Sequence, residues 1–272
     1  MEVNDGQAAA EPSTGLQFIE LSHAWGHGIP VWPGDHDVKI ERVVNHALHG
    51  VMAQKLSISM QNGTHINAPI HLIQGGADIS SLGIERFFGN GVVLDIPKKK
   101  WELVTDKDLE KAKPAIQQGD IVIINTGWHK KYSDSQEYFG HAPGLSKKAA
   151  EWLVAKSPAM VGVDTAAIDH PLATSLGAHR NGPLMKRLPK EYLAETGRDS
   201  KKDHPEWNAA HRLLLAAGIP TIENVGGGVS QVSGKRCTFH AYPWKWLGGD
   251  GCVIRFMAIL DPGGKYRIEK GA

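Results

Sequence analysis

Gln61, His65, Asn67 and His71 stand among small and apolar residues in the run Gln61-Asn62-Gly63-Thr64-His65-Ile66-Asn67-Ala68-Pro69-Ile70-His71. In an extended segment side chains alternate faces, so all four share one face. That face carries two imidazoles and two carboxamides. If it is buried, each unpaired polar group costs about 1–3 kcal/mol. A metal ion is one partner that would serve all of them. A straight strand at ~3.3 Å per residue would carry His71 about 20 Å beyond His65, too far to act on the same water. Pro69 lacks the N–H of a ladder and disfavours a continuous strand. The chain is therefore expected to bend there and return His71 to the site.

A second pair is His211 and Glu223. His211 falls in a helix-like stretch, Glu223 in a strand-like one, and Gly218-Ile219-Pro220 joins them tightly. A helix and the strand after it pack side by side, so the two side chains could converge. Glu223 interrupts an apolar run, and a buried carboxylate needs a cation or several donors.

These residues need a scaffold. Strand-like runs recur at Gly15–Leu21, Val38–Val44, Lys55–Met60, Gly91–Ile96, Asp120–Asn125, Met160–Asp164, Thr221–Val225 and Gly251–Leu260. Helix-like stretches lie at Thr105–Lys113, where Thr105 is a candidate N-cap, at Ser146–Ser157 and at Asn208–Ala217, closed by Gly218. Strands and helices mix, so the class is α/β or α+β. The polar stretch Pro189–Pro205 reads as a solvated insertion. No linker divides the chain, which reads as a disordered tail over residues 1–15 and one domain over residues 16–272.

Composition narrows the function classes. The chain has 272 residues, 41% of them hydrophobic, and a formal net charge of +1, which gives no argument for nucleic acid or an anionic membrane. No apolar run reaches the roughly 18–20 residues of a membrane span. The first residues lack the basic start and apolar run of a signal peptide, and two cysteines without close spacing argue against a disulfide framework. A cytoplasmic protein is the expectation.

With both segments in view, the chain resembles the metal-dependent cyclase-like hydrolase family, which includes bacterial kynurenine formamidase and isatin hydrolase. The family signature H-x-G-T-H-x-D-x-P-x-H reads here Gln61-x-Gly63-Thr64-His65-x-Asn67-x-Pro69-x-His71. Trp32-Pro33-Gly34-Asp35, Asn125-Thr126-Gly127-Trp128 and Gly162-Val163-Asp164-Thr165 are similar to three further family stretches. The resemblance runs from about Ile19 to Pro262. It implies mixed sheets with flanking helices, the swivelling β/β/α type, and at least a homodimer. It also implies hydrolysis of a C–N bond in an amide or cyclic amide. By position, the family's metal ligands become Gln61, His65, Asn67, His211 and Glu223, and His71 takes the acid/base place.

Gln61 and Asn67 depart from the pattern, each replacing a strong ligand by a weaker carboxamide. The three strong ligands left, His65, His211 and Glu223, suit one zinc with a fourth position open for water. Oxygens from Gln61 and Asn67 would favour manganese instead. Thr64 or a backbone carbonyl is expected to orient the metal-bound imidazoles. Trp25, Trp32, Trp128, Arg180 and His240 are the candidates for binding a small-molecule substrate. Arg180 would serve through a bidentate contact to a carboxylate. The expected activity is metal-dependent cleavage of an amide, imide, lactam or lactone. Two rivals follow from the same residues: a binding protein that has lost its metal, and a metal-dependent lyase or cyclase.

Overall fold

The computed structural model describes residues 9–10, 14–180, 182, 184 and 186–266. Its centre is a ten-stranded mixed sheet. The strand order is Ala9–Ala10, Gln17–Glu20, Met257–Leu260, Lys235–His240, Phe88–Asp95, Ile121–Asn125, Met160–Val163, Thr221–Glu223, His65–Asn67 and Gly251–Val253. The four strands from Phe88–Asp95 to Thr221–Glu223 run parallel, and the flanking ones are antiparallel. Most of the anticipated tail lies outside the described residues, and Ala9–Ala10 pairs with Gln17–Phe18.

The parallel strands are apolar on both faces because both faces are covered. Val93, Ile121 and Ile123 pack into one cluster with Ile19, Phe239 and Phe256. Their neighbours Val92, Leu94, Val122 and Ile124 face the other way, against Leu109, Ala149, Ala150, Leu153 and Leu214. Those last residues come from three helices, Asp106–Lys111, Lys147–Lys156 and Ala209–Ala216. Thr105 and Asp108 form a reciprocal capping box, and Ser146 caps the second helix through Ala149 N–H.

Three elements differ from the sequence reading. Gly251–Leu260 is two strands, Gly251–Val253 and Met257–Leu260, bordering different parts of the sheet. Lys235–His240 is an interior strand that its charged start conceals. Within Pro189–Pro205 the chain forms the helix Leu188–Thr196, anchored by buried Leu188 and Tyr192, and the turn Ser200–Asp203. The strands Lys39–Val44 and Ala53–Ser57 form a separate hairpin.

Two imidazoles outside the cavity make stability depend on pH. His204 is buried with its ring 4.0 Å from that of His170, and half-buried His23 stacks on Tyr132. Burial presses both His23 and His204 down from 6.5 to about 4. The unfolded chain takes up these protons below 6.5, and the folded chain refuses them until about 4. Stability from this source is full above 6.5 and falls as the pH drops through 4. Asp169 opposes it: burial pushes its carboxyl up to about 7, so its contribution is full below 3.8 and lost as the pH rises through 7. His204→Asn is expected to flatten the fall of the urea midpoint between pH 6.5 and 4. An unchanged slope would contradict the assignment.

Candidate active site

The register of three short strands builds the site. Glu223 stands directly opposite His65, and Thr221 opposite Asn67, so all four project from one face. The turn before His65 requires a glycine. Gly63 has φ of +71°, and a Cβ there would lie 2.9 Å from Trp25 Cδ1. The Gly63 carbonyl lies 2.8 Å from His65 Nδ1, which must therefore carry the ring proton, since a carbonyl only accepts. The backbone, not Thr64, orients this imidazole. Thr64 Oγ1 donates to the Asn224 carbonyl at 2.6 Å.

With its proton on Nδ1, His65 turns the Nε2 lone pair towards Glu223 Oε2, 3.0 Å away. Two electron-rich atoms at that distance need positive charge between them, from a second proton or a cation. Asn67 Nδ2 also donates to Glu223 Oε2 at 3.0 Å and lies 3.3 Å from His65 Nε2. Asn67 Oδ1 is buried and has no partner. Glu223 Oε1 accepts from the Ile168 N–H at 2.8 Å and lies 3.7 Å from His211 Nδ1.

Burial works against charge on Glu223. The neighbouring His211, the interaction with His65 and the Ile168 N–H outweigh it and hold the carboxyl at about 2. The same burial presses His211 down to about 4, against the pull of Glu223. Near neutral pH the pair is an ionised carboxylate beside a neutral imidazole.

His211 is positioned from two sides. Its Nε2 lies 2.7 Å from Thr221 Oγ1. Its helix, Ala209–Ala216, has no side-chain cap from Asn208. Asp169 supplies the cap from a distant loop, accepting from the Ala210 and His211 N–H groups at 2.9 Å each. Asp169 was not foreseen from the sequence, although a carboxylate between Ile168 and His170 in an apolar stretch was a usable signal.

The bend at Pro69 is present. Pro69–His71 forms a 3₁₀ turn, and the His71 ring comes within 5.7 Å of the His211 ring. Asp250, also not foreseen, lies 3.4 Å from His71 Nδ1 through Oδ2 and accepts from Gln61 Nε2 at 2.8 Å. The hydrogen bond with His71 leads the interactions that lower the Asp250 pKa. Its setting, one acid among Gly248, Gly249 and Gly251 before an apolar strand, was the available clue.

A cavity of about 650 Å³ opens over His65, His71, His211 and Glu223. Trp32 and Arg180 line it, as the sequence reading anticipated. Trp32 Nε1 donates to Ser175 Oγ at 3.1 Å, and the Arg180 guanidinium lies 3.9 Å over the Trp207 ring. Trp25, Trp128 and His240 do not line it. Trp25 packs on the Gly63 turn, Trp128 is buried with Nε1 donating to the Tyr138 carbonyl, and His240 lies in the strand Lys235–His240 with its ring against Tyr242. Gln61 reaches the cavity, but both ends of its carboxamide are engaged: Nε2 by Asp250, Oε1 by Ser59 Oγ at 3.0 Å.

Among the described residues, no group of three or more His, Cys, Asp and Glu side chains is arranged to hold a metal ion. The convergent trio is instead two strong donors and one carboxamide. The 3.0 Å between His65 Nε2 and Glu223 Oε2 matches that between neighbouring ligands that each sit about 2.0–2.2 Å from one divalent ion, whereas Asn67 turns its Nδ2, a donor that does not coordinate, towards both. The facing lone pairs of His65 and Glu223 fit one ion, and Asn67 Oδ1 beside them has no partner. Gln61, turned to Asp250, adds nothing towards a second.

Residues 19–170 match the family model described as "Putative cyclase". A kynurenine formamidase of Bacillus thuringiensis is 27% identical over 247 residues, 90% of this chain and 98% of the relative. An isatin hydrolase bound to the product analogue thioisatinate superposes with a TM-score of 0.72 at 18% identity, covering 90% of this chain and 92% of the other. Isatin hydrolase A from Ralstonia solanacearum gives 0.71 at 22% identity, with the same coverage. A potential metal-dependent hydrolase with cyclase activity gives 0.64 at 19%, covering 90% and 98%. At these identities the structural likeness establishes the fold, a mixed sheet with flanking helices of the cyclase-like hydrolase type.

Because Asp169 carries the helix start, Asp169→Ala is expected to lower stability by about 1–3 kcal/mol. Urea unfolding at neutral pH measures this. A change within ~0.5 kcal/mol, the usual range of a surface substitution, would show that the cap does not hold His211 in place.

Proposed function

This chain belongs to the cyclase family, and we propose that it is a hydrolase that cleaves a carbon–nitrogen bond in an amide, cyclic amide or imide of a small molecule, or opens a lactone. The observation that carries the reading is the convergence of His65, His71, His211 and Glu223 on one cavity from separate segments of the chain. The kynurenine formamidase and isatin hydrolase relatives supply the bond class.

One divalent ion, zinc or manganese, would be held by His65 and Glu223, with Asn67 Oδ1 as a weaker oxygen ligand and His211 alongside. When bound, such an ion polarises a carbonyl and lowers the pKa of water. The chain's own residues do the rest. Gly63 fixes the His65 tautomer, so that Nε2 keeps its lone pair for the site. His71 takes the proton of the attacking water and returns it to the leaving nitrogen or oxygen. Asp250 orients His71 through Nδ1 and favours the imidazolium formed between those two transfers. Gln61 holds Asp250. Trp32 and the stacked Arg180 and Trp207 present flat walls and a cation to the substrate, which suits a planar molecule with an anionic group.

His71→Ala is expected to retain metal at wild-type stoichiometry and to lose on the order of 10²–10⁴ in turnover. Elemental analysis and a panel of small amides, imides and lactones measure both. Loss of metal in the variant, or near-normal turnover on a substrate the wild type cleaves, would overturn the role of His71. Wild-type protein that cleaves no member of the panel, with or without added zinc or manganese, would overturn the hydrolase reading.

A further inference from the structure

A second set of reactive groups lies outside the cavity, past the carboxyl ends of Ile121–Asn125 and Met160–Val163. Asp164 is fully buried. It accepts from the Thr126 N–H and hydroxyl at 3.0 and 2.6 Å, from the His129 N–H at 3.2 Å, and from His129 Nδ1 at 3.0 Å. A carboxylate only accepts, so the proton lies on Nδ1 and Nε2 keeps its lone pair. Ser230 Oγ is 3.0 Å from that nitrogen. Ser230 is exposed, on the turn Val229–Val232, while His129 is buried.

The order is a nucleophile at hydrogen-bond distance from a base, and a base held in one tautomer by a buried acid. That relation of roles, not any sequence position, defines an activated serine. His129 is doubly anchored, by its backbone and its ring, to a carboxylate that Thr126 also holds. The base is therefore fixed before any substrate arrives, and the serine it activates is an exposed residue. None of the three residues lines the cavity or touches the His65–Glu223 cluster.

We propose that Ser230, His129 and Asp164 form a second, metal-independent acyl-transfer centre, open to small, reactive esters. Ser230 Oγ attacks the ester carbonyl carbon and gives its proton to His129 Nε2. The new C–O bond replaces the bond to the leaving group, which departs as the alcohol or alkoxide, with His129 as its proton donor where one is needed. Water, deprotonated by the same nitrogen, then releases the carboxylic acid and restores the serine. Asp164 stabilises the imidazolium in both halves and is itself never protonated.

The test uses the full chain with excess chelator and p-nitrophenyl acetate. The expected result is one acetyl group on the peptide that carries Ser230, seen by mass spectrometry, and release of p-nitrophenolate that survives the chelator. Ser230→Ala should abolish the adduct. His129→Gln, which leaves the serine in place, should slow its formation by at least about 10²-fold, the lower bound for a general base. Absence of acetyl on Ser230, or an adduct that forms as fast in His129→Gln as in the wild type, would overturn the proposal and leave the three residues as a structural clamp. Because the site reaction is run without free metal, neither outcome depends on the amide hydrolysis assigned to the cavity.

Discussion

A negative charge buried at Glu223 organises this site. Its carboxylate lies where strand pairing places it opposite His65, and it is almost inaccessible to water. A charge in that position is tolerable only with close donors or a cation: the Ile168 N–H and Asn67 Nδ2 donate to it, and two imidazoles, His65 and, further off, His211, face it. The loop after Met160–Val163 brings Ile168, and one residue later the same loop brings Asp169, which docks the helix that carries His211. The carboxylate and the helix are thus held by adjacent residues of one loop. Moving either displaces the other.

The two carboxamides redistribute charge around that centre. Asn67 is a neutral donor where the family signature has an acid, so Glu223 is the only carboxylate in the trio. Gln61 stands where the signature has an imidazole and has been turned outward, where it holds Asp250 beside His71. Under the proposed reading, one change weakens the claim of a second ion and the other orients His71, and both would favour a single cation with a separately held imidazole, over a cavity that also presents Arg180.

Much of this was legible in the chain. Alternation places His65 and Asn67 on one face of the strand His65–Asn67, Pro69 predicts the bend that returns His71, and the interruption of an apolar run marks Glu223; the extended reading fails before His65, where the chain turns at Gly63 and Gln61 reaches the cavity from that turn. Local signals of that kind survive folding because strand parity and proline chemistry do not depend on distant residues. What escaped depended on distance. Asp169 caps a helix some forty residues away, Asp250 reaches His71 across the sheet, and Ser230 meets His129 only because the parallel strands end side by side. Lys235–His240 was missed for a related reason. Its first residues are charged, and only its place between Met257–Leu260 and Phe88–Asp95 makes it an interior strand. Trp25 and Trp128 read as pocket walls because large aromatic residues serve equally well as packing, and the packing role is the one they fill.

The central claim is that the Glu223 carboxylate and the His65 lone pair require a shared cation. Isothermal titration of metal-free protein with zinc and with manganese tests it directly. The account predicts one equivalent bound by the wild type and none by Glu223→Gln, which keeps the shape of the side chain and removes its charge. A wild type that binds no ion, or a Glu223→Gln variant that binds as tightly as the wild type, would contradict it.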